Sequence, residues 1–281
     1  MATASLLPTN HPHVTLDGRR LRVVITGSSK GFGRALALQF ARNGHKVVIN
    51  ARSKHVLRDT KEECGEECGL YSVAADVSKY GDNLLLYRTA MREMGGVDVW
   101  INNAGTNAYK RGTVADLTPG DVASIVDTNL IGTVYGSQMA IRAMKDNERG
   151  GVIINLEGSG LNAPSVPGYA VYESTKQAIG HFSECLRSEV RDMNINVCTL
   201  SPGMLCTDMT STDDATKRAI AIIGSKPETV AAAMYAEICR RGGTVLRLTY
   251  LTPVRAVLVL SRNAAAYVGR VVTDRLRRSS P

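Results

Sequence analysis

The chain has 281 residues, of which 44% are hydrophobic and 21% charged, enough for one large α/β domain and too few for two such domains with a linker. Its net charge of +8 is confined to the segment from Arg240 onward, where nine arginines face the single acid Asp274, so the body is neutral and no nucleic-acid partner is expected. Six cysteines without framework spacing point to a reducing compartment, and Cys64 and Cys68 have no matching Cys or His pair, so no metal is expected.

In chain order, residues 1–18 read as an N-terminal extension, whose first fifteen residues lack a secretory h-region and an arginine-rich transit character, so the protein stays where it is made or a leader has been trimmed. LRVVIT at 21–26 is a β-rich run, followed by a glycine turn, a helix over 31–43 and the strand KVVIN at 46–50. The pattern repeats with a helix near 53–66, a strand near 70–75, a helix near 80–94 and the strand VDVWIN at 97–102. A long helix near 118–145, the strand GVIINL at 151–156, a helix near 170–192 and the strand INVCTL at 195–200 complete it. Apolar strands alternating with helices predict a doubly wound parallel sheet of Rossmann type, a single α/β domain over 19–240. Beyond residue 204 the alternation fails, leaving a lid region, a helix near 226–241 and a basic, partly apolar C-terminal tail over 241–281. Arg247, Pro253 and Arg255 break the apolar stretch from Val245 to Leu260, so no transmembrane segment is expected. The tail suits peripheral contact with an anionic membrane surface or partner, and equally a solvated helix face.

Between the first strand and first helix lie Thr26, Gly27, Ser28, Ser29, Lys30, Gly31, Phe32 and Gly33. Glycines there let the backbone approach a pyrophosphate, and a helix N-terminus supplies N–H groups and partial positive charge. The second strand ends in Asn50, Ala51, Arg52, where NAD-specific sites place a carboxylate for the ribose hydroxyl. Arg52 with Lys30 can pair with a 2′-phosphate, which favours NADPH/NADP+, or both can be ordinary surface cations. Asp76 and Val77 after the third strand, and Asn103, Ala104 and Gly105 after the fourth, fall at strand carboxyl ends, on the adenine and ribose sides of a dinucleotide.

Tyr172 and Lys176 are four apart at the start of a helix and share a face. An ammonium beside a phenol is expected to lower the phenol's proton affinity, suiting Tyr172 as general acid for carbonyl reduction. Ser159, in a glycine-rich loop past the fifth strand, can polarise the carbonyl. Asn129, inside the long helix, can hold a relay water or be a surface amide.

The series TGSSKGFG, NNAG, Asn129, Ser159, Tyr172 with Lys176, and Ser201, Pro202, Gly203 resembles, in order and spacing, the classical short-chain dehydrogenase/reductase family over residues 21 to about 210. The resemblance implies Ser159, Tyr172, Lys176 and Asn129 as a catalytic tetrad and Pro202, Gly203 and Thr207 near the nicotinamide. It also implies a homo-oligomer. The loop LEGSGLNAP departs from the family's usual paired serines. AVYESTK, SPGMLCTDM and YLTPVRA are similar to chlorophyll b reductases, which implies a tetrapyrrole aldehyde as small-molecule carbonyl substrate and a chloroplast location at the stroma or thylakoid surface. The alternatives are a cytoplasmic reductase of smaller ketones, steroids, lipids or 3-oxoacyl substrates, and a non-catalytic NADP-binding scaffold.

Overall fold

The computed structural model describes residues 2–6, 14, 16, 18–65, 68–158, 167–207, 209, 224–241 and 243–250. The inner strands are apolar at nearly every position because both faces of the sheet are covered. Val23 and Ile25 join one buried cluster and Val24 the other, and Val99 and Ile101 are divided from Trp100 in the same way. The strands are β1 (Ala2–Leu6), β2 (Arg22–Ile25), β3 (Lys46–Ala51), β4 (Leu70–Ala74), β5 (Val99–Asn102), β6 (Gly151–Leu156), β7 (Ile195–Ser201) and β8 (Val245–Tyr250). The helices are α1 (Gly31–Arg42), α2 (Lys54–Cys64), α3 (Tyr80–Met94), α4 (Pro119–Val126), α5 (Gly132–Met144), α6 (Ala170–Glu189) and α7 (Pro227–Arg241).

The sheet order is β1-β8-β7-β6-β5-β2-β3-β4. All pairings are parallel except β1 with β8. The chain winds outward from β2 to β4, then returns to β5 and winds the other way, so the order reverses between β2 and β5. A crevice opens there beyond the strands' carboxyl ends. Leu36 and Phe40 of α1 with Met234 and Ile238 of α7 cover one face, and Leu86 of α3, Met139 of α5 and Leu186 of α6 cover the other. At the opposite end of the strands the buried Asp98 pairs with Arg22 at 2.8 Å and Arg19 at 3.0 Å, tying β5 to β2.

Two features differ from the sequence expectation. The helix over 118–145 is broken by a π-helical turn, Asp127–Ile131, between α4 and α5. Its start is as read, with Pro119 at the first position and a reciprocal capping box between Thr118 and Asp121. The second difference is at the sheet edge, which takes in β8 and the antiparallel β1. β8 follows α7 and pairs in parallel with β7, so it resumes the alternation after a long interruption, whereas β1 pairs with a segment far along the chain that no local pattern marks. Val14 and Leu16 are buried behind this edge, with Val14 N–H donating to Gly243 O at 3.1 Å.

Candidate active site

The glycine turn after β2 is built by side chains from three strand ends. Thr26 Oγ1 accepts the N–H groups of Asn103 and Ala104, each at 3.0 Å, while Asn103 Nδ2 donates to Thr26 O at 2.7 Å and Gly27 O at 3.0 Å. Asn50, buried at the end of β3, accepts Gly27 N–H at 3.3 Å and donates to Ala75 O at 2.8 Å. This brace joins the ends of β2, β3 and β4 and was not singled out by sequence reasoning, because its partners are backbone atoms on neighbouring strands.

The turn's glycines serve this packing. A β-carbon on Gly27 would stand 2.7 Å from Ala104 Cα, and one on Gly33 2.6 Å from Gly27 O. Gly27 also has φ of +63°, where side chains are strained. Close approach of protein to protein therefore demands glycine here. Lys30 stands at the N-cap of α1 with extended backbone and no side-chain cap. The helix N-terminus thus keeps the character of an anion site, and the residues present fit a dinucleotide pyrophosphate.

Lys30 Nζ lies 4.9 Å from the centroid of the Tyr109 ring. Arg52 is exposed just past β3. Asp76 accepts Ser78 N–H at 3.0 Å and Ser78 Oγ–H at 2.8 Å, and Val77 is buried. Thr207 reaches back to the turn, its Cγ2 being 3.4 Å from the position of a β-carbon on Gly31. Pro202 and Gly203 follow β7 directly, Gly203 in the left-handed region at φ of +74°.

At the other side of the crevice α6 carries Tyr172 and Lys176. Lys176 is buried and its Nζ donates to Leu156 O at 3.0 Å, at the end of β6. The same Nζ is 5.9 Å from the centroid of the Tyr172 ring. A β-carbon on Gly105 would lie 3.5 Å from Lys176 Nζ and 3.4 Å from Asn129 Oδ1, so the lysine and the asparagine converge on the end of β5. Asn129 sits in the π turn and is fully buried, which overturns its reading as a surface amide. Its Oδ1 accepts Thr106 N–H at 2.7 Å, and its Nδ2 donates to Thr106 O and to Thr175 Oγ1, each at 3.0 Å. Thr175 Oγ1 in turn donates to Tyr172 O at 2.7 Å, linking the π turn to α6. Beside Tyr172 a shallow cleft is lined by Asn107, Lys110, Val114, Leu117 and Tyr169.

The expected downward pull of Lys176 on the phenol is corrected by this arrangement. Tyr172 keeps partial solvent access, but dense surrounding protein disfavours its anion and pushes it up to about 12, with Glu173 adding to the rise. Burial brings Lys176 down to about 8, while the carboxylates of Glu157 and Glu173 oppose that fall. The lysine donates to a carbonyl, which leaves burial dominant at the phenol. Near neutrality Tyr172 therefore holds its proton and Lys176 its charge. Ser159, residues 210–223 of the lid region and residues 251–281 of the tail lie outside the described residues.

Among the described residues no group of three His, Cys, Asp or Glu side chains could hold a metal, and no helix is long and apolar enough to cross a membrane. A profile of the family described as short chain dehydrogenase matches residues 22–218. A probable chlorophyll(ide) b reductase, chloroplastic, of Oryza sativa subsp. japonica is 34% identical over 258 residues, covering 85% of this chain and 51% of that protein. This chain therefore spans about half the length of that relative. The 3beta-hydroxysteroid dehydrogenase 1 of Eggerthella lenta is 36% identical over 228 residues, 75% of this chain and 84% of that enzyme. The solved structure of a 3-ketoacyl-(acyl-carrier-protein) reductase from Brucella melitensis complexed with NADH superposes with a TM-score of 0.71 at 30% identity, covering 83% of this chain and 97% of that one. With the profile spanning the strands that build the crevice, the chain belongs to the short-chain dehydrogenase family, oxidoreductases that bind nicotinamide cofactors.

Proposed function

We propose that the chain is an NADPH-dependent carbonyl reductase that converts the formyl group of chlorophyll b to the hydroxymethyl group of 7-hydroxymethyl chlorophyll. The observation that carries the chemistry is the meeting of Tyr172, Lys176 and Asn129 beside the phosphate turn at the sheet's switch point. The pigment is supported by similarity to the chlorophyll(ide) b reductases.

When bound, the reduced nicotinamide supplies a hydride to the carbonyl carbon. The chain's residues do the rest. Gly27 to Gly33 hold the pyrophosphate at the start of α1, and Lys30 with Arg52 supplies positive charge for a 2′-phosphate. Asp76 and Val77 meet the adenine, Asn103 to Gly105 the ribose, and Pro202, Gly203 and Thr207 the nicotinamide. Ser159 donates a hydrogen bond to the carbonyl oxygen, and Tyr172 delivers the proton that completes the alcohol. Lys176 stabilises the phenolate left behind, and Asn129 fixes the geometry of the relay. The same reading places the protein at a plastid's stroma or thylakoid surface, as a homo-oligomer paired through α5 and α6, with its basic tail against lipid.

Purified protein with NADPH and chlorophyll b is expected to form 7-hydroxymethyl chlorophyll, read by absorbance and mass, and to bind NADPH more tightly than NADH. Cofactor oxidation on small carbonyls with no pigment product refutes the pigment reading. It would favour a second one, reduction of a steroid or other compact ketone, which the steroid dehydrogenase supports because this chain covers 84% of its length.

A further inference from the structure

Glu157 follows β6 directly and is 8% exposed, a burial that carboxylates rarely tolerate without a partner. Its Oε1 lies 2.5 Å from Arg247 Nη2 on β8, yet neither that oxygen nor Arg247 Nε has an aligned hydrogen-bond partner. Arg247 itself sits inside the sheet, between Thr199 of β7 and Ser5 of β1. The other carboxylate oxygen points elsewhere. Glu157 Oε2 is 3.5 Å from the place of a β-carbon on Gly180, one helical turn beyond Lys176 on the same side of α6. The backbone beside Glu157 presses on the lysine too, since a β-carbon on Gly158 would be 3.1 Å from Lys176 Cβ and Leu156 O accepts Lys176 Nζ. The ionisable groups facing Glu157 are Arg247 from β8, Lys176 and Arg187 from α6, and Cys198 from β7, with Thr199 offering a hydroxyl. Those facing Lys176 are Glu157 and Glu173, with the Tyr172 ring alongside.

We propose that Glu157 is the buried counter-ion that keeps Lys176 protonated and so sets the pH range of proton delivery from Tyr172, with Arg247 holding Glu157 in its charged form. Glu157 is a positioning residue that acts through Lys176, and the inference rests on the assignment of Tyr172 and Lys176 above. Burial lowers the ammonium, and Glu157 is the largest influence opposing that fall. Removing its charge carries the lysine further down, toward neutrality. Removing Arg247 has the same sign, because burial already pushes the Glu157 carboxyl up and Arg247 is the main force against it.

The test follows the titration of Lys176 directly, by NMR of ¹³C-labelled lysine in the cofactor-free protein. Glu157→Gln is expected to lower the midpoint by about one unit, the size of shift a close opposite charge produces. The high-pH limb of kcat/KM for carbonyl reduction should move by the same amount. Arg247→Met should shift both in the same direction. The double variant Glu157→Gln, Arg247→Met should regain the thermal stability the single variants lose, because no lone buried charge remains, while keeping the lowered midpoint. Should Glu157→Gln fail to fold, the double variant carries the test. An unmoved Lys176 midpoint in a folded variant overturns the proposal. The titration needs no substrate, so a wild-type protein inactive on every carbonyl would sink the reductase reading and leave the counter-ion question decided by NMR.

Discussion

Tyr172 is raised to about 12 and Lys176 lowered to about 8, so the proton rests on the phenol and the charge on the amine throughout the neutral range. That is the loaded state for reduction, in which a proton must leave the enzyme for the product oxygen. Lys176 carries its charge below its midpoint and loses it above, so kcat/KM for reduction should be level near neutrality and fall as pH rises through about 8. Tyr172→Phe removes the proton donor and preserves the packing of the ring. It should cut turnover by a factor of about 10² to 10⁴. NADPH binding, followed by fluorescence, should survive. Turnover close to wild type in Tyr172→Phe would remove the tyrosine from its assigned role. This pair was legible in the sequence because its spacing is local, four residues on one helix. Glu157 was not, since its partner Arg247 meets it only after β8 joins the sheet.

At the scale of elements, the turn after β2 and the helix carrying Asn129 read correctly as types, while what holds them did not. Glycine spacing marked the turn, but the reason for Gly27 and Gly33, contact with Ala104 and with the turn's own carbonyl, needs the folded sheet. Periodicity gave one long helix, and the π turn over Asp127–Ile131 escaped it because a single inserted residue barely disturbs an apolar pattern. That turn is where Asn129 is inserted between the Thr106 backbone and Thr175, so the asparagine couples the crevice loop to α6. Asn129→Ala leaves the half-buried N–H and C=O of Thr106 without their partner. The expected loss is about 1–3 kcal/mol of stability per orphaned group. Activity should fall more than stability alone explains, because α6 carries Tyr172. Denaturant unfolding and turnover measured on one preparation check both, and a variant of wild-type stability would show that water replaces the amide at no cost.

For the whole molecule, the alternating strands and helices from 21 to 200 gave the parallel sheet, whereas the β1–β8 edge depended on Ala2–Leu6 pairing with Val245–Tyr250, which no local pattern signals. A second long-range tie governs how the fold responds to acid. His45, at the entry to β3, accepts Leu21 N–H through Nδ1 at 3.0 Å and meets Tyr235 Oη of α7 through Nε2 at 3.0 Å. One imidazole thus joins the entries of two strands to the helix covering them, and only its neutral form can accept from Leu21. Burial, with Arg20 nearby, holds His45 below its ordinary value. The unfolded chain therefore takes up this proton at a higher pH than the folded one. The stability contributed by neutral His45 is complete above about 6.5, the usual histidine value, and is lost as pH falls toward the lowered folded value. Asp98, held below the ordinary carboxylate range by Arg22 and Arg19, withdraws its contribution only under more acid conditions. Melting temperature should consequently decline in two stages, the first setting in as pH falls below about 6.5. His45→Gln retains an acceptor for Leu21 N–H and has nothing to titrate there, so it should flatten the first stage and leave the second. An unchanged first stage in that variant would assign it to another group.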